Sequence, residues 1–333
     1  MSPPPLALSL GDPAGVGPEI VAAAWRALKT SGPVFFAAGD AATIRAAGAP
    51  VAVISDPSEA AALFADALPV LDLPLTTKPT PGHPSADAAP HVVRWIETAV
   101  ALALEGKAAG VVTAPIAKAT LYEAGFKYPG HTEFIGALTA SAPLAGARGP
   151  VMMLAAKELR VALVTVHEPL ARVPGLLTHD RIVETGLVLA EALRRDFGIA
   201  APRIVVAGLN PHAGEGGAIG REETEIVAPA VETLRRRGID IRGPLPADSL
   251  FHDAARATYD AALCLYHDQA LIPVKMLDFW GGVNLTLGLP VVRTSPDHGT
   301  AFDIAGKGVA RPDSLIAAIR LAADIAARRR TPA

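Results

Sequence analysis

One cysteine, Cys264, stands among 333 residues. A lone thiol excludes an internal disulfide framework and suits a reducing compartment. Charge of one sign is also lacking: 30 basic residues face 33 acidic ones, for a net charge of −3. Such a balance offers no field to gather nucleic acid or an anionic membrane. No apolar run of about 18 residues escapes charge or Gly/Pro punctuation, so no membrane span is expected. The opening "MSPPPLALSL" has no basic segment and too short an apolar stretch for a secretory signal. These absences predict a cytoplasmic protein that binds neither nucleic acid nor membrane. Aromatic residues are few as well, at 5% of the chain, while Ala and Gly are abundant, so helices can pack closely on sheets.

What is present is an alternation. Apolar residues make up 50% of the sequence, enough for two domains or one large α/β unit. Short β-rich runs such as "LALSL", "PVFFAAG", "AAGVVTAP", "RVALVTVH", "RIVVAG", "AALCLYHD" and "PVVRTSPD" are separated by Ala/Leu-rich amphipathic stretches. This pattern predicts a largely parallel α/β sheet with helices on both faces. No fixed repeat is present. Polar signals cluster where strands end, and ligands of open α/β sheets bind outside the carboxyl ends of strands.

Three histidines share that context: His167 in "VALVTVHEP", His212 in "VVAGLNPH" and His267 in "LCLYHDQ". Any one alone reads as a hydrogen-bonded loop residue. Three at equivalent positions suit a divalent ion, because imidazoles are common ligands and three of them leave positions open for substrate. Glu168 and Asp268, next in the chain, could fix the imidazole tautomers. None of the spacings is a short metal motif such as HExxH. The glycines of "LNPHAGEGGAIG" alternatively suit a phosphate cradle.

His131 and Thr132 in "YPGHTEF" sit at an expected helix start, where Thr caps and backbone N–H groups attract an anion. Lys275, Asn284 and Arg293 are of types that hold phosphate or carboxylate. "GDPAGVGPE" reads as a strand-to-helix turn, but it is neither GxGxxG nor GxxxxGK[ST]. In "DHGTAFDIAGKG" small residues let a ligand approach the backbone, Asp303 can accept from ribose-like hydroxyls, and Lys307 adds charge.

Taken together, "GDPAGVGPE", "GHTEF", "LNPHAGEGG", "GPLPADSLF", "YHDQALIPVK", "VNLTLGLP" and "RTSPDHGTAFDIAGKG" resemble the 4-hydroxythreonine-4-phosphate dehydrogenase family of pyridoxine biosynthesis, from Leu6 to the C-terminal helix. The last motif is also similar to loops of isopropylmalate and isocitrate dehydrogenases. The resemblance implies that superfamily's fold, two α/β/α domains around a central cleft and not a Rossmann domain. The first domain would take residues 1–135 and 290–333, the second 136–289. The implied reaction is NAD(P)-dependent oxidation of 4-phosphooxy-L-threonine, with decarboxylation of the product to 3-amino-2-oxopropyl phosphate. His167, His212 and His267 would hold one divalent metal, Zn2+, Mg2+ or Co2+. His131, Thr132, Lys275, Asn284 and Arg293 would contact the substrate. Asp297, His298, Gly299, Thr300, Asp303 and Lys307 would border NAD or NADP. Asp248 and Asp268 are the candidate general bases. The family is a homodimer whose metal site draws on both subunits. A related branch oxidises 4-phospho-D-threonate or 4-phospho-D-erythronate, and a metal-dependent phosphate-ester hydrolase is the alternative from another class.

Overall fold

The computed structural model describes residues 3–330. Residues 1, 2 and 331–333, which the sequence reading places in the first domain, lie outside the described residues. The chain divides into two compact units, one of residues up to 143 together with 289–330, the other of residues 144–288. The helix His131–Leu138 runs unbroken through the boundary expected at residue 135, so the division falls after it.

The first unit opens with β1 (Leu6–Ser9), β2 (Phe35–Gly39), β3 (Val51–Ile54), β4 (Leu68–Asp72) and β5 (Val111–Thr113). The second unit follows with β6 (Val151–Ala156), β7 (Leu159–Leu163), β8 (Arg203–Ala207), β9 (Asp240–Leu245), β10 (Ala261–Cys264) and β11 (Val283–Leu287). The chain then returns to the first unit as β12 (Arg293–Pro296) and the helix Asp313–Arg330.

In the first unit the strand order is β3-β4-β2-β1-β5-β12, parallel throughout. β1 and β2 are buried along their whole length, "LALS" and "FFAAG", with helices packed against the sheet. Such continuous apolar strands are what a parallel sheet covered on both faces requires. Trp25 and Trp95 anchor two of the covering helices, and their indole N–H groups donate to Phe64 O and Leu73 O, both at 2.9 Å. The successor of β1 turns to one side of it and β5 lies on the other, so the loops after β1 and β5 flank a reversal of strand order. Ligands of such sheets bind at that point.

In the second unit the order is β11-β6-β7-β10-β8-β9. β7, β10, β8 and β9 are parallel. β6 pairs antiparallel with both β11 and β7. The expectation of a largely parallel sheet therefore holds for the first unit and for four strands of the second. The core here is Leu154, Val161, Val205, Ala262 and Cys264 with Tyr259, whose hydroxyl donates to Leu250 O at 2.8 Å. Among the described residues no helix is long and apolar enough to cross a membrane.

Candidate active site

The histidine rim follows from the strand order. β7 and β8 flank β10, and all three run parallel. His167, His212 and His267 come four, five and three residues after their strands, at the same end of the sheet. His167 and His267 meet, with ring centroids 5.6 Å apart. They line a hollow of about 240 Å3 with Val166, Tyr266 and Asp268. His267 Nδ1 lies 2.7 Å from Asp268 Oδ1. A carboxylate on Nδ1 keeps the proton there and leaves the Nε2 lone pair for a cation. Asp268 is thus placed to orient the imidazole, the first of the two tasks the sequence suggested for it.

His212 does not join them. Among the described residues no group of three or more His, Cys, Asp or Glu side chains lies close enough to hold a metal ion. The residues of one chain fit such an ion in part: two imidazoles, one with its tautomer fixed, and a third imidazole exposed on the neighbouring loop. Glu168 turns to Arg172, at 3.4 Å. Asp248 lies exposed in a short 3-10 turn. Gln269 escaped the sequence reading. It accepts from Leu265 N–H and donates to Gly208 O, both at 2.7 Å, and so ties the ends of β10 and β8 together. Its signal was only its place two residues after His267.

In the first unit a second polar cluster forms where β5, β12 and the helix His131–Leu138 approach. Arg293 pairs with Val111 across the parallel ladder, and its Nη2 donates to Thr113 Oγ1 at 2.8 Å. The guanidinium is buried, at 3% exposure. Burial pushes its pKa down to about 10, against the pull of Glu133. It therefore stays charged at neutral pH. His131 Nε2 is enclosed with no hydrogen-bond partner. Burial first, then the charges of Arg293 and Lys118, hold the His131 pKa well below 6.5. A cation pair beside an unsatisfied imidazole is suited to an anion. The helix N-cap is Gly130, with extended backbone at φ 178°, and no side chain caps it. Thr132 is thus inside the first turn and does not cap, contrary to the sequence reading.

A pH dependence follows. The folded state keeps His131 neutral where the unfolded chain takes up a proton, so its contribution to stability is lost as pH falls below the unfolded value of 6.5. Urea unfolding of the wild type should lose stability on acidification more steeply than His131→Asn. Parallel slopes would remove His131 as the buried neutral group.

Lys275 and Asn284 belong to the second unit. The Lys275 ammonium lies 5.1 Å from the Phe279 ring centre. Asn284 Oδ1 is buried without a hydrogen-bond partner on β11.

The first unit also holds an open cleft of about 740 Å3, lined by Gly15, Glu19, Asp40, Lys78, Gly306 and Gly308 among others. Its walls are tied together. Val16 N–H donates to Thr300 O at 2.9 Å. Glu19 accepts from the N–H groups of Gly306 and Gly308, the latter at 3.1 Å. A Cβ on Gly15 would stand 2.9 Å from Thr300 O, so the loops touch at backbone distance. The cleft is thus bounded by the loop expected to border the dinucleotide. Of the six residues named for that contact, Asp297, His298, Gly299, Thr300, Asp303 and Lys307, none lines it directly. Asp40, missed in the sequence, caps the helix after β2 through Thr43 N–H at 2.6 Å and holds Leu75 N–H at 3.0 Å.

Comparison with known proteins bears on these features. The model of the family described as pyridoxal phosphate biosynthetic protein PdxA matches residues 30–322. A protein of Caulobacter vibrioides named 4-hydroxythreonine-4-phosphate dehydrogenase is 66% identical, over 99% of this chain and 99% of its own. One of Maricaulis maris with the same name is 55% identical, over 97% of each chain. The crystal structure of 4-hydroxythreonine-4-phosphate dehydrogenase from Klebsiella pneumoniae superposes with a TM-score of 0.85 at 41% identity, covering 97% of this chain and 98% of that one. The chain belongs to the PdxA family.

Proposed function

We propose that this chain oxidises 4-phosphooxy-L-threonine at its C3 hydroxyl with NAD or NADP as acceptor, in pyridoxal phosphate biosynthesis, and that the 2-amino-3-oxo acid formed loses CO2 to give 3-amino-2-oxopropyl phosphate. The observation that carries this reading is similarity over essentially the whole length to proteins of that name. The buried cluster of Arg293 and His131 and the cleft beside Glu19 support it. Arg293 and His131 receive the phosphate, a group that does not itself react, so that its binding positions the substrate. Lys275 and Asn284 supply a cation and an amide for the remaining polar groups. The cleft beside Glu19 and Gly306 takes the dinucleotide.

His167, His212 and His267 would hold a divalent ion, Zn2+, Mg2+ or Co2+, which acidifies a bound hydroxyl and draws electrons from a departing carboxylate. Asp268 keeps the His267 proton on Nδ1 and presents Nε2. Imidazole ligands carry no negative charge, so they would leave the charge of such an ion uncancelled toward an anionic substrate.

The working form is a homodimer in the cytoplasm. Two of the three imidazoles meet within one chain, and a second copy supplies the third. The helix that starts at His267 supports this. Ile272, Met276, Phe279 and Trp280 are exposed on it or just after it. An apolar stripe of that size beside an incomplete site suits a self-complementary interface.

The test is turnover of NAD and NADP with 4-phosphooxy-L-threonine, followed by NADH or NADPH absorbance and by CO2 release, with chelator and then metal added. We expect both signals together, loss with chelator and recovery with Co2+ or Zn2+. Reduction only with 4-phospho-D-threonate would assign the chain to the other branch. Phosphate release without reduced nucleotide would sink the dehydrogenase reading.

A further inference from the structure

His212 stands on backbone that L-residues avoid. Five consecutive residues, His212 to Gly216, have φ of 53°, 52°, 81°, 45° and 65°. Three of them, His212, Ala213 and Glu215, carry a Cβ. A left-handed turn of this length is disfavoured and persists only where its surroundings over-determine it.

The surroundings are a clasp between Asn210 and Glu223. Glu223 is buried, at 2% exposure. One of its oxygens accepts from Asn210 N–H at 2.7 Å and the other from the Asn210 side-chain amide at 2.9 Å. That amide also donates to Glu222 at 2.8 Å. Asn210 O in turn accepts from Ala213 N–H at 3.1 Å, which closes the first step of the turn. Gly214 leaves room for the clasp: a Cβ there would stand 2.7 Å from Glu223 Oε2. Glu223 also opens a π turn, Glu223–Val227, ahead of the helix Ala228–Arg236. Such single wide turns recur at functional sites. The buried carboxylate thus has both oxygens committed to the residue two positions before His212.

We propose that Asn210 and Glu223 are positioning residues that hold the left-handed turn so that the His212 imidazole is aimed at a divalent cation. This rests on the reading of His212 as a metal ligand. A ligand on a segment free to relax would spend binding energy on ordering it, whereas a fastened turn presents the ring ready oriented.

The experiment is calorimetric titration of the purified full chain with Co2+, together with amide hydrogen exchange over residues 209–220. Glu223→Ala and Asn210→Ala should each weaken Co2+ binding about tenfold to a hundredfold, the usual penalty for losing a group that orients a ligand. Exchange across the turn should quicken in both. Glu223→Gln keeps an acceptor for the Asn210 backbone N–H and should bind Co2+ within a few-fold of wild type. Wild-type affinity and unchanged exchange in Glu223→Ala would overturn the proposal, as would a stability loss with no change in Co2+ affinity. If Glu223→Ala does not fold, Asn210→Ala carries the same two outcomes. His212→Ala separates the layers. Wild-type Co2+ affinity in that variant would defeat the metal reading itself. Loss there, with full affinity in both clasp variants, would defeat only the positioning.

Discussion

Replacing Arg293 by lysine should lower kcat/KM for 4-phosphooxy-L-threonine by about tenfold to a hundredfold, the equivalent of ~1.5–3 kcal/mol for charge-assisted hydrogen bonds. The charge survives the substitution, so the effect isolates geometry. Arg293 is fixed by Thr113 at 2.8 Å and by the β12–β5 ladder. Its guanidinium presents several N–H groups in a rigid plane, and a phosphate takes two of them at once. A lysine on the same strand offers a point charge on a flexible stem, and it cannot both reach Thr113 and fork onto an anion. The KM for NAD should stay at its wild-type value, because the cleft proposed for the dinucleotide has other walls. Steady-state kinetics with each substrate varied in turn reads both numbers. An unchanged kcat/KM for the phosphorylated substrate would remove Arg293 from the phosphate site.

The placing of the three histidines at one end of the sheet was legible because parallel strands put their ends on one rim. "VALVTVH", "VVAGLNPH" and "LCLYH" are each a buried strand followed within a few residues by a histidine, and β7, β10 and β8 are neighbours. Arg293 and His131 were legible from residue type alone only as separate anion-binding candidates, since they lie 162 positions apart, and the family resemblance was what put them in one site. The antiparallel strand β6 escaped the reading. "VMMLAA" returns as "LRVAL" through a two-residue turn, Lys157–Glu158, with Lys157 at φ 51°. Hairpin turns are usually announced by Asn or Gly at such a position, and here neither is present. The same blindness hid the turn at His212. Its glycines hinted at tight backbone, but His212, Ala213 and Glu215 adopt positive φ without any residue type that signals it. What makes the conformation tenable is Glu223, thirteen positions after Asn210, and a tertiary fastening leaves no local pattern. The walls of the cleft were missed for a related reason. Asp40 looks like an ordinary helix cap, which it is, and only the fold brings it opposite Gly306.

Mixing two dead variants should restore activity. His212→Ala and His267→Ala are each expected to be inactive alone, with loss of about a thousandfold or more when a metal ligand is removed. Within one chain His267 meets His167, and His212 stands apart. If a second copy brings the third imidazole, a mixed dimer places both alanines in one site and leaves the other site whole. Random exchange of subunits makes half of the dimers mixed, each with one of two sites intact, so about a quarter of wild-type activity should return. The two variants are denatured together or incubated under mild dissociating conditions, then allowed to reassemble before assay. Co2+ titration of the mixture should recover tight sites in the same proportion as turnover. The apolar stripe gives the matching control. Met276→Asp puts a charge at the most exposed apolar side chain of the helix that bears His267, with 75% exposure in the single chain. In both parents that substitution should shift the protein to the mass of one chain by light scattering and abolish the recovery. No recovery between two folded dimeric parents would mean that each chain assembles its metal site alone, and His212 would then have to close on His167 and His267 by moving its own loop; recovery that survives Met276→Asp would remove the apolar stripe as the interface.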